Sequence, residues 1–174
     1  EAVARSAWDS ESRQDVRRRA DLEIPEVETA APVGSQIKIR PYRVADETAV
    51  IELWRAGDLL RPQNDPRKDI ARKLKVNPEW FLVAEIDGEL VGVLMAGYEG
   101  RRGWINSFAV DPAHRRHGIG RALMAEAERL LRAAGCPKIN LQVRPDNEEV
   151  VEFYRRLGYE VEPLICMGKR LETD

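Results

Sequence analysis

The sequence predicts an α/β (α+β) fold, in which one mixed, mostly antiparallel sheet of six to seven strands carries four helices on both faces. Two observations favour this class. Two apolar runs flank Asp87 and Gly88, which is a strong hairpin signal. Two later helical patterns end at Gly135 and Gly158, with strand-like runs around them. Because hairpins join the middle strands and helices join the later ones, we expect a mixed sheet with the order β-α-α-β-β-β-α-β-α-β.

The first half of the domain follows local turn and periodicity signals. QIKIRPY predicts a strand that ends at Pro41, and ADETAVIELWRAG predicts a helix because its large apolar residues recur at helical spacing. NDPRKDIARKLK predicts a short second helix, with Asp65 as its N-cap and Pro66 at its first position. WFLVAEIDGELVGVLMAGYE predicts the hairpin, and GWINSFAV predicts the strand that follows it.

The second half alternates helices with short strands. The stretch from Ile119 to Gly135 predicts an amphipathic helix, and PKINLQVRP predicts the fifth strand. DNEEVVEFYRRLG predicts the fourth helix, because acidic residues come early, arginines come late and Gly158 ends it. YEVEPLICMGKRL predicts one or two final strands, interrupted at Pro163.

Residues 1–34 are predicted to be a charged N-terminal arm or linker, and residues 35–174 the folded domain. The arm ends in EIPEVETAAPVG, where proline, glutamate and small residues alternate. The preceding RSAWDSESRQDVRRRADLE has few large apolar residues, so it is either a flexible arm or a helix that packs on its own domain or on another chain. The chain begins with Glu1 and no basic-then-apolar leader follows, so we expect a processed start or a fragment rather than a signal peptide.

Composition and charge exclude several function classes. The 174 residues carry a formal net charge of −2, which favours neither nucleic acid nor an anionic membrane as a partner. Apolar runs of about 18 residues, which would predict a membrane span, are absent from the sequence. Cys136 and Cys166 lie far apart and match no metal-binding spacing, so we expect reduced thiols, no metal site and a cytoplasmic location.

A basic, glycine-containing turn precedes the long helix and predicts an anion site. The N-terminus of a helix offers unpaired N–H groups and the positive end of the helix dipole. Gly118 and Gly120 would let a phosphate approach these groups, and Arg115, Arg116 and Arg121 would add charge-assisted hydrogen bonds. From the residues alone, a simple strand-to-helix corner, where glycine is common, is the favoured explanation of the two glycines.

Two familiar phosphate loops do not fit this turn. A dinucleotide fingerprint needs a third glycine at the position of Leu123, and a P-loop needs Gly-Lys-Ser/Thr. The pattern Arg115-x-x-Gly118-x-Gly120 between a strand and a helix instead resembles the acetyl-CoA pyrophosphate loop of the GNAT superfamily of N-acetyltransferases. The resemblance covers nearly all of residues 36–171, and DLLRPQNDP, GCPKINLQV and YRRLGYE are similar to the YpeA-type bacterial branch.

The resemblance implies a set of cofactor-binding residues. They are Phe108, Val110, Arg115, Arg116, His117, Gly118, Ile119, Gly120, Arg121 and Asn147. In this fold a bulge in the fourth strand, here within NSFAV, parts that strand from the fifth. Backbone groups of Phe108 and Val110 would then bind the pantetheine amides like an added strand.

The resemblance also implies two catalytic residues. The Val110 N–H would polarise the thioester carbonyl, and the Tyr154 hydroxyl would face the CoA sulfur. Asn147 lies seven residues earlier on the same helix face and would contact the pantetheine. An N-cap role for Asn147 and a core-packing role for Tyr154 stay open.

The expected general base is missing. Related protein-N-terminus acetyltransferases place a glutamate on the fifth strand in an L-E-V context, whereas this chain has Gln142 in LQV. The other candidates are Glu52, Asp58, Asp65 and Glu99, and each is expected to be a surface acid. The acceptor site of this fold is built by the first two helices and their loop, here GDLLRPQNDP. The side chains of Arg61, Asn64 and Asp65 would bind a polar substrate there. Trp54 would either line this site or pack in the core.

The resemblance therefore predicts an acetyl-CoA-dependent N-acetyltransferase that acts by direct attack of a primary amine in a ternary complex. The acceptor is expected to be a protein or peptide α-amine or a small amine. The alternatives are a GNAT-shaped module that binds acyl-CoA without turnover, and an interaction protein that works through its N-terminal arm. The sequence leaves a homodimer open.

Overall fold

The computed structural model describes residues 36–172, which form one open sheet with helices on both faces. The predicted arm of residues 1–34 lies outside the described residues. The strands are β1 Lys38–Pro41, β2 Phe81–Ile86, β3 Glu89–Tyr98, β4 Gly103–Val110 and β5 Ile139–Leu141. The helices are α1 Glu47–Ala56, α2 Pro66–Lys73, α3 Ile119–Ala133 and α4 Glu148–Arg156, and short 3₁₀ turns cover Val44–Asp46, Pro78–Trp80 and Pro112–His114.

The sheet has the order β1-β2-β3-β4-β5 and is mostly antiparallel. β1 to β4 pair antiparallel with their neighbours, and β5 joins β4 in parallel. Asp87 and Gly88 turn the predicted hairpin with φ of 51° and 85°, which is the pair of positive values that a two-residue hairpin turn favours. The predicted mixed and mostly antiparallel sheet is confirmed.

Alternating residues of β2 and β3 build two cores on opposite faces of the sheet. Leu82 and Leu94 pack with the buried stripe of α3, while Phe81, Val83 and Val93 pack with α1 and α2. Because successive strand residues point to opposite faces, two apolar runs of this length serve both layers. The prediction of four helices on both faces is confirmed among the described residues.

The prediction of six to seven strands is wrong for the described residues, which contain five. Residues 159–172 form neither helix nor strand. Pro163 has no N–H to give to a sheet ladder, and the Leu164 N–H donates to the Glu162 carbonyl at 2.8 Å, so the backbone turns on itself where a strand would have continued. β5 is also shorter than PKINLQVRP predicted.

A partly buried ion cluster, which sequence patterning missed, joins β1 and β2 to the turn before α1. Arg40 Nη1 and Nη2 donate to the two Asp46 carboxylate oxygens at 2.7 and 2.9 Å, and Arg40 Nε donates to Glu85 Oε1 at 2.7 Å. The hydrogen bonds from Arg40 hold the pKa of both carboxyl groups below their usual values. The cluster fixes the start of α1 against the sheet edge.

Candidate active site

β4 and β5 part halfway along β4. They pair over three residue pairs only, from Gly103 with Ile139 to Ile105 with Leu141. Beyond Ile105 the outer edge of β4 has no strand beside it among the described residues. The predicted separation of the fourth and fifth strands is therefore present.

A bulge lies in β4 where the two strands part. Val93 pairs with Ala109 and Met95 pairs with Asn106, so β4 has one more residue than β3 over this interval. Ser107 lies inside the bulge with φ of 50°, a left-handed conformation that is uncommon for a residue other than glycine. The predicted bulge within NSFAV is confirmed.

The bulge sets which backbone groups of β4 face the opening. The Asp111 N–H donates to the Val91 carbonyl at 2.9 Å, and Val110 pairs with Gly92 as the next residue pair. Since hydrogen-bonded and non-hydrogen-bonded pairs alternate in an antiparallel ladder, the N–H and carbonyl of Val110 point away from β3. They face the side where β5 has left the sheet.

Trp54 belongs to the core and holds the bulge from the side of α1. Its side chain is 3% exposed, and its indole Nε1 donates to the Ser107 carbonyl at 2.9 Å. The ring lies parallel to that of Phe81, with centroids 6.3 Å apart. The core-packing alternative for Trp54 is confirmed, and a wall for the acceptor is not seen.

The N-terminus of α3 is open. Gly118 precedes the helix with φ of 81°, Arg116 also has a positive φ of 65°, and no side chain caps the first turn. The N–H groups of residues 119–121 therefore have no helical partner. The side chains of Arg115, Arg116, His117 and Arg121 are exposed around this turn, whereas the Ile119 side chain is buried, so only its backbone can reach a ligand.

Gly120 has a packing role that sequence patterning missed. A Cβ atom at this position would lie 3.2 Å from the Phe153 ring and 3.3 Å from the Phe108 ring, which is closer than ordinary contact. Its small size therefore lets the first turn of α3 approach α4 and β4. Aromatic residues at 108 and 153 were the available signal, but only the fold brings them together.

Tyr154 lies in an aromatic cluster next to this turn. Its ring is 7% exposed and contacts Phe108, Phe153 and Tyr159, with centroid separations of 6.3, 5.2 and 5.6 Å. Burial raises the pKa of its hydroxyl above the ordinary value, so the group keeps its proton. The hydroxyl donates to none of the described residues, in contrast to that of Tyr159, which donates to Glu128 Oε1 at 3.0 Å.

The start of α4 lies beside the glycine turn. Asn147 caps the helix, and its Oδ1 accepts from the Val150 N–H at 3.4 Å. Its side-chain NH₂ group is left for another acceptor. Arg116 Nη2 lies 3.8 Å from Glu149 Oε1, which brings the turn next to the first turn of α4. The predicted N-cap role of Asn147 is confirmed, and the same geometry leaves a contact with a ligand open.

The candidate general bases all serve other contacts. Glu52 pairs with Arg55, Asp65 caps α2 by accepting from the Arg67 N–H at 2.9 Å, and Glu99 accepts from two backbone N–H groups of the next turn. Asp58 accepts from Arg144 at 2.9 Å, and this hydrogen bond, with that from Arg61, holds its pKa below the usual value. A carboxylate with a lowered pKa is a poor proton acceptor near neutral pH.

The α1–α2 loop contacts Arg144, which follows β5, through Asp58 and contacts the C-terminal segment through its other end. Arg170 donates to the Gln63 carbonyl at 3.1 Å and to Asn64 Oδ1 at 2.9 Å. An open cleft of about 790 Å³ lies there, lined by Asn64, Asp69, Arg72 and residues 168–172. Val110 and Tyr154 do not line it, so this cleft is separate from the opening beside β4.

The open sheet, the parted strands and the uncapped helix start make the architecture that defines the GNAT fold. A family model described as "Acetyltransferase (GNAT) family" matches residues 47–159. The chain therefore belongs to the GNAT family, as its resemblance predicted, and it is an acetyltransferase.

Three proteins illustrate this likeness. An acetyltransferase from Pectobacterium atrosepticum is 50% identical over 138 residues, which cover 79% of this chain and 98% of the relative. The crystal structure of Ard1 from Thermoplasma volcanium matches with a TM-score of 0.62 at 27% identity, covering 72% of this chain and 84% of that chain. Aminoglycoside N-acetyltransferase AAC(6')-Iy in complex with CoA matches with a TM-score of 0.61 at 20% identity, covering 81% of this chain and 99% of that chain, a likeness of fold alone.

Across the described residues, the longest helix is α3 with 15 residues, and none of the helices is long and apolar enough to cross a membrane.

Proposed function

We propose that this chain transfers the acetyl group of acetyl-CoA to a primary amine by direct attack in a ternary complex. The observation that carries the proposal is the opening between β4 and β5, which has beside it the uncapped start of α3 and the Tyr154 ring that packs against Phe108 of β4. An extended ligand with a diphosphate at one end and a thioester at the other suits this arrangement.

The diphosphate is assigned to the first turn of α3. Unpaired N–H groups of residues 119–121 and the helix dipole favour an anion there. Gly118 adopts a backbone conformation that keeps this turn open. The exposed side chains of Arg115, Arg116, His117 and Arg121 supply positive charge and donors.

The pantetheine arm is assigned to the free edge of β4. The backbone groups of Phe108 and Val110 would pair with its amides as an added strand would. The N–H of Val110, which points away from β3, then faces the reacting carbonyl. A preorganised donor to a developing oxyanion contributes about 3 kcal/mol in other enzymes.

Tyr154 is assigned to the leaving thiolate. Its hydroxyl keeps its proton at neutral pH and is not engaged by another described residue, so it is free to donate to the sulfur. The side-chain NH₂ group of Asn147, left over from capping, is assigned to the pantetheine.

The proposed acceptor is an amine of low pKa, such as an α-amine. Gln142 cannot accept the proton, and Glu52, Asp58, Asp65 and Glu99 serve other contacts. Neutralising a lysine amine at pH 7 costs about 4.6 kcal/mol, against about 1 to 1.4 kcal/mol for an α-amine. A site without a dedicated base therefore favours the amine that loses its proton more cheaply.

Gly118→Val tests the proposal, because it strains the turn and crowds the anion site. We expect at least a tenfold loss of CoA affinity by calorimetry, since several charge-assisted hydrogen bonds are disturbed. Gly100→Val is the matched control: Gly100 also has a positive φ, of 96°, and open space for a Cβ, but it lies in the β3–β4 turn. Equal CoA affinity of the two variants would contradict the assignment of the diphosphate.

Turnover is tested with acetyl-CoA, a thiol reagent and a panel of peptides and small amines. We expect thiol release with amines of low pKa, and faster release with peptides that have a free α-amine than with their N-blocked, lysine-containing counterparts. Thiol release without any added amine, at the same rate, would contradict amine transfer.

A second candidate function is a GNAT module that binds acyl-CoA without turnover. The engaged state of the four candidate bases favours it, and the free hydroxyl of Tyr154 argues against it. Binding of CoA with no thiol release across the whole amine panel would select this second function.

A further inference from the structure

We propose that Trp54 is a positioning residue for the acetyl-transfer site, because its indole N–H holds the bulge that points the Val110 backbone toward the opening between β4 and β5. This inference rests on the proposed function. Trp54 lies on α1, 53 residues before Ser107, and its hydrogen bond to Ser107 and ring contact with Phe81 involve neither the glycine turn nor Tyr154.

The bulge leaves the Ser107 carbonyl in need of a donor, and Trp54 supplies it. The extra residue interrupts the ladder between Val93 and Met95. The indole Nε1 lies 2.9 Å from the Ser107 oxygen. Without this donor, a partly buried carbonyl would lose its partner, and Ser107 would have less to hold it at a φ of 50°.

The indole is itself held rigidly. The side chain of Trp54 is almost completely buried, and its ring lies within 9° of parallel to the Phe81 ring on β2. The residue that follows α1 also lies against β4 next to the bulge, because a Cβ at Gly57 would lie 3.4 Å from the Ala109 Cβ. The last turn of α1 therefore presents a fixed donor to β4.

The bulge matters because it determines which residues of β4 after position 107 point their N–H groups toward β3 and which point them toward the opening. Without the extra residue, Val93 would pair with Phe108 instead of Ala109, and each later residue would change sides. The N–H of Val110 would then point toward β3, and that of Ala109 would face the opening. A contact on α1 thereby decides which amide can polarise the thioester carbonyl.

Trp54→Phe tests the inference, because it keeps an aromatic ring beside Phe81 and removes the indole N–H. We expect CoA affinity about fivefold weaker and kcat about tenfold lower, with an unchanged KM for the amine. The backbone ¹⁵N–¹H resonance of Val110 should also shift in the free protein. Trp80→Phe is the matched control, because Trp80 is the partly buried tryptophan of the Pro78–Trp80 turn and should leave these values unchanged.

Two variants of Ser107 test the bulge without changing a core side chain. Ser107→Val places a β-branched side chain at a positive φ, which such residues strongly avoid. Ser107→Gly favours that conformation. We expect the valine variant to bind CoA about fivefold more weakly than the glycine variant. Adding Ser107→Gly to Trp54→Phe should restore most of the lost affinity and turnover.

The outcomes separate the inference from the proposed function. Wild-type protein that binds no CoA would overturn the proposed function and this role of Trp54 with it. Wild-type protein that binds CoA, with Trp54→Phe lowering only the melting temperature and leaving CoA affinity, kcat and the Val110 resonance unchanged, would overturn the inference alone. If Trp54→Phe does not fold, equal CoA affinities of the two Ser107 variants would overturn it.

Discussion

Replacing Tyr154 with phenylalanine isolates one hydroxyl group. The ring of Tyr154 packs among Phe108, Phe153 and Tyr159, and phenylalanine keeps those contacts. Because the hydroxyl donates to none of the described residues, we expect the free energy of unfolding to stay the same or rise slightly. Any loss of turnover then reports on chemistry rather than folding.

The expected fall in kcat follows from the proton affinities of the Tyr154 hydroxyl and the CoA thiolate. Burial keeps the pKa of Tyr154 above 10.0, whereas a thiol has a pKa of about 8.5. Full transfer of the proton to the thiolate is therefore uphill by at least about 2 kcal/mol, so the hydroxyl is expected to stabilise the thiolate by a hydrogen bond. Such a bond to a charged group is worth about 1.5 to 3 kcal/mol, which corresponds to a fall in kcat of about 10- to 150-fold.

The assay measures kcat by thiol release, CoA affinity by calorimetry and unfolding by urea titration. Tyr159→Phe is the matched control, because its hydroxyl donates to Glu128 and it should lose stability while keeping turnover. Since Tyr154 holds its proton, we expect its hydroxyl to remain a hydrogen-bond donor to the thiolate below about pH 10. A Tyr154→Phe variant with wild-type kcat would refute the reasoning.

Three further predictions concern the framework around the site. Arg40→Met should lower the free energy of unfolding by about 2 to 3 kcal/mol in urea titrations. The reason is that it leaves the carboxylates of Asp46 and Glu85 unpaired at a partly buried position. A change below about 0.5 kcal/mol would contradict this prediction. Because Arg40 lowers the pKa of Asp46, that contribution is present above about pH 4 and is lost as the pH falls further, so the urea midpoint of the wild type should drop more steeply below pH 4 than that of Arg40→Met. Gly120→Val should lower the melting temperature, because its added atoms would press on the Phe108 and Phe153 rings; an unchanged melting temperature would show that the rings move aside freely.

The parts of the fold that the sequence predicted carry their signals locally. Asp87 and Gly88 specify a two-residue hairpin turn by themselves, and the predicted stop Gly135, with φ of 78°, lies just after the C-cap of α3. The prediction of a final strand was wrong, although the apolar pattern there is compatible with a strand. The turn at Pro163 depends on the path of the backbone around it, which the local pattern does not report.

The parts of the candidate site that the sequence missed depend on residues far apart in the chain. Position 120 requires a small residue because the ring of Phe153, 33 residues later in the chain, lies against it. Trp54 donates a hydrogen bond to Ser107, which is 53 residues later. The Arg40 cluster likewise joins residues up to 45 positions apart. Periodicity reports which face of an element is apolar, but it does not report which elements meet.

Binding of the CoA diphosphate by the main-chain amides at the start of α3 is tested most directly by an NMR titration of the ¹⁵N-labelled protein. The backbone resonances of residues 119–121 are followed as CoA is added, and pantetheine, which has no diphosphate, is added in a parallel titration. We expect CoA to shift all three resonances in a saturable manner and pantetheine to leave them almost unchanged. Saturating CoA that leaves these three amides unmoved would contradict the central claim.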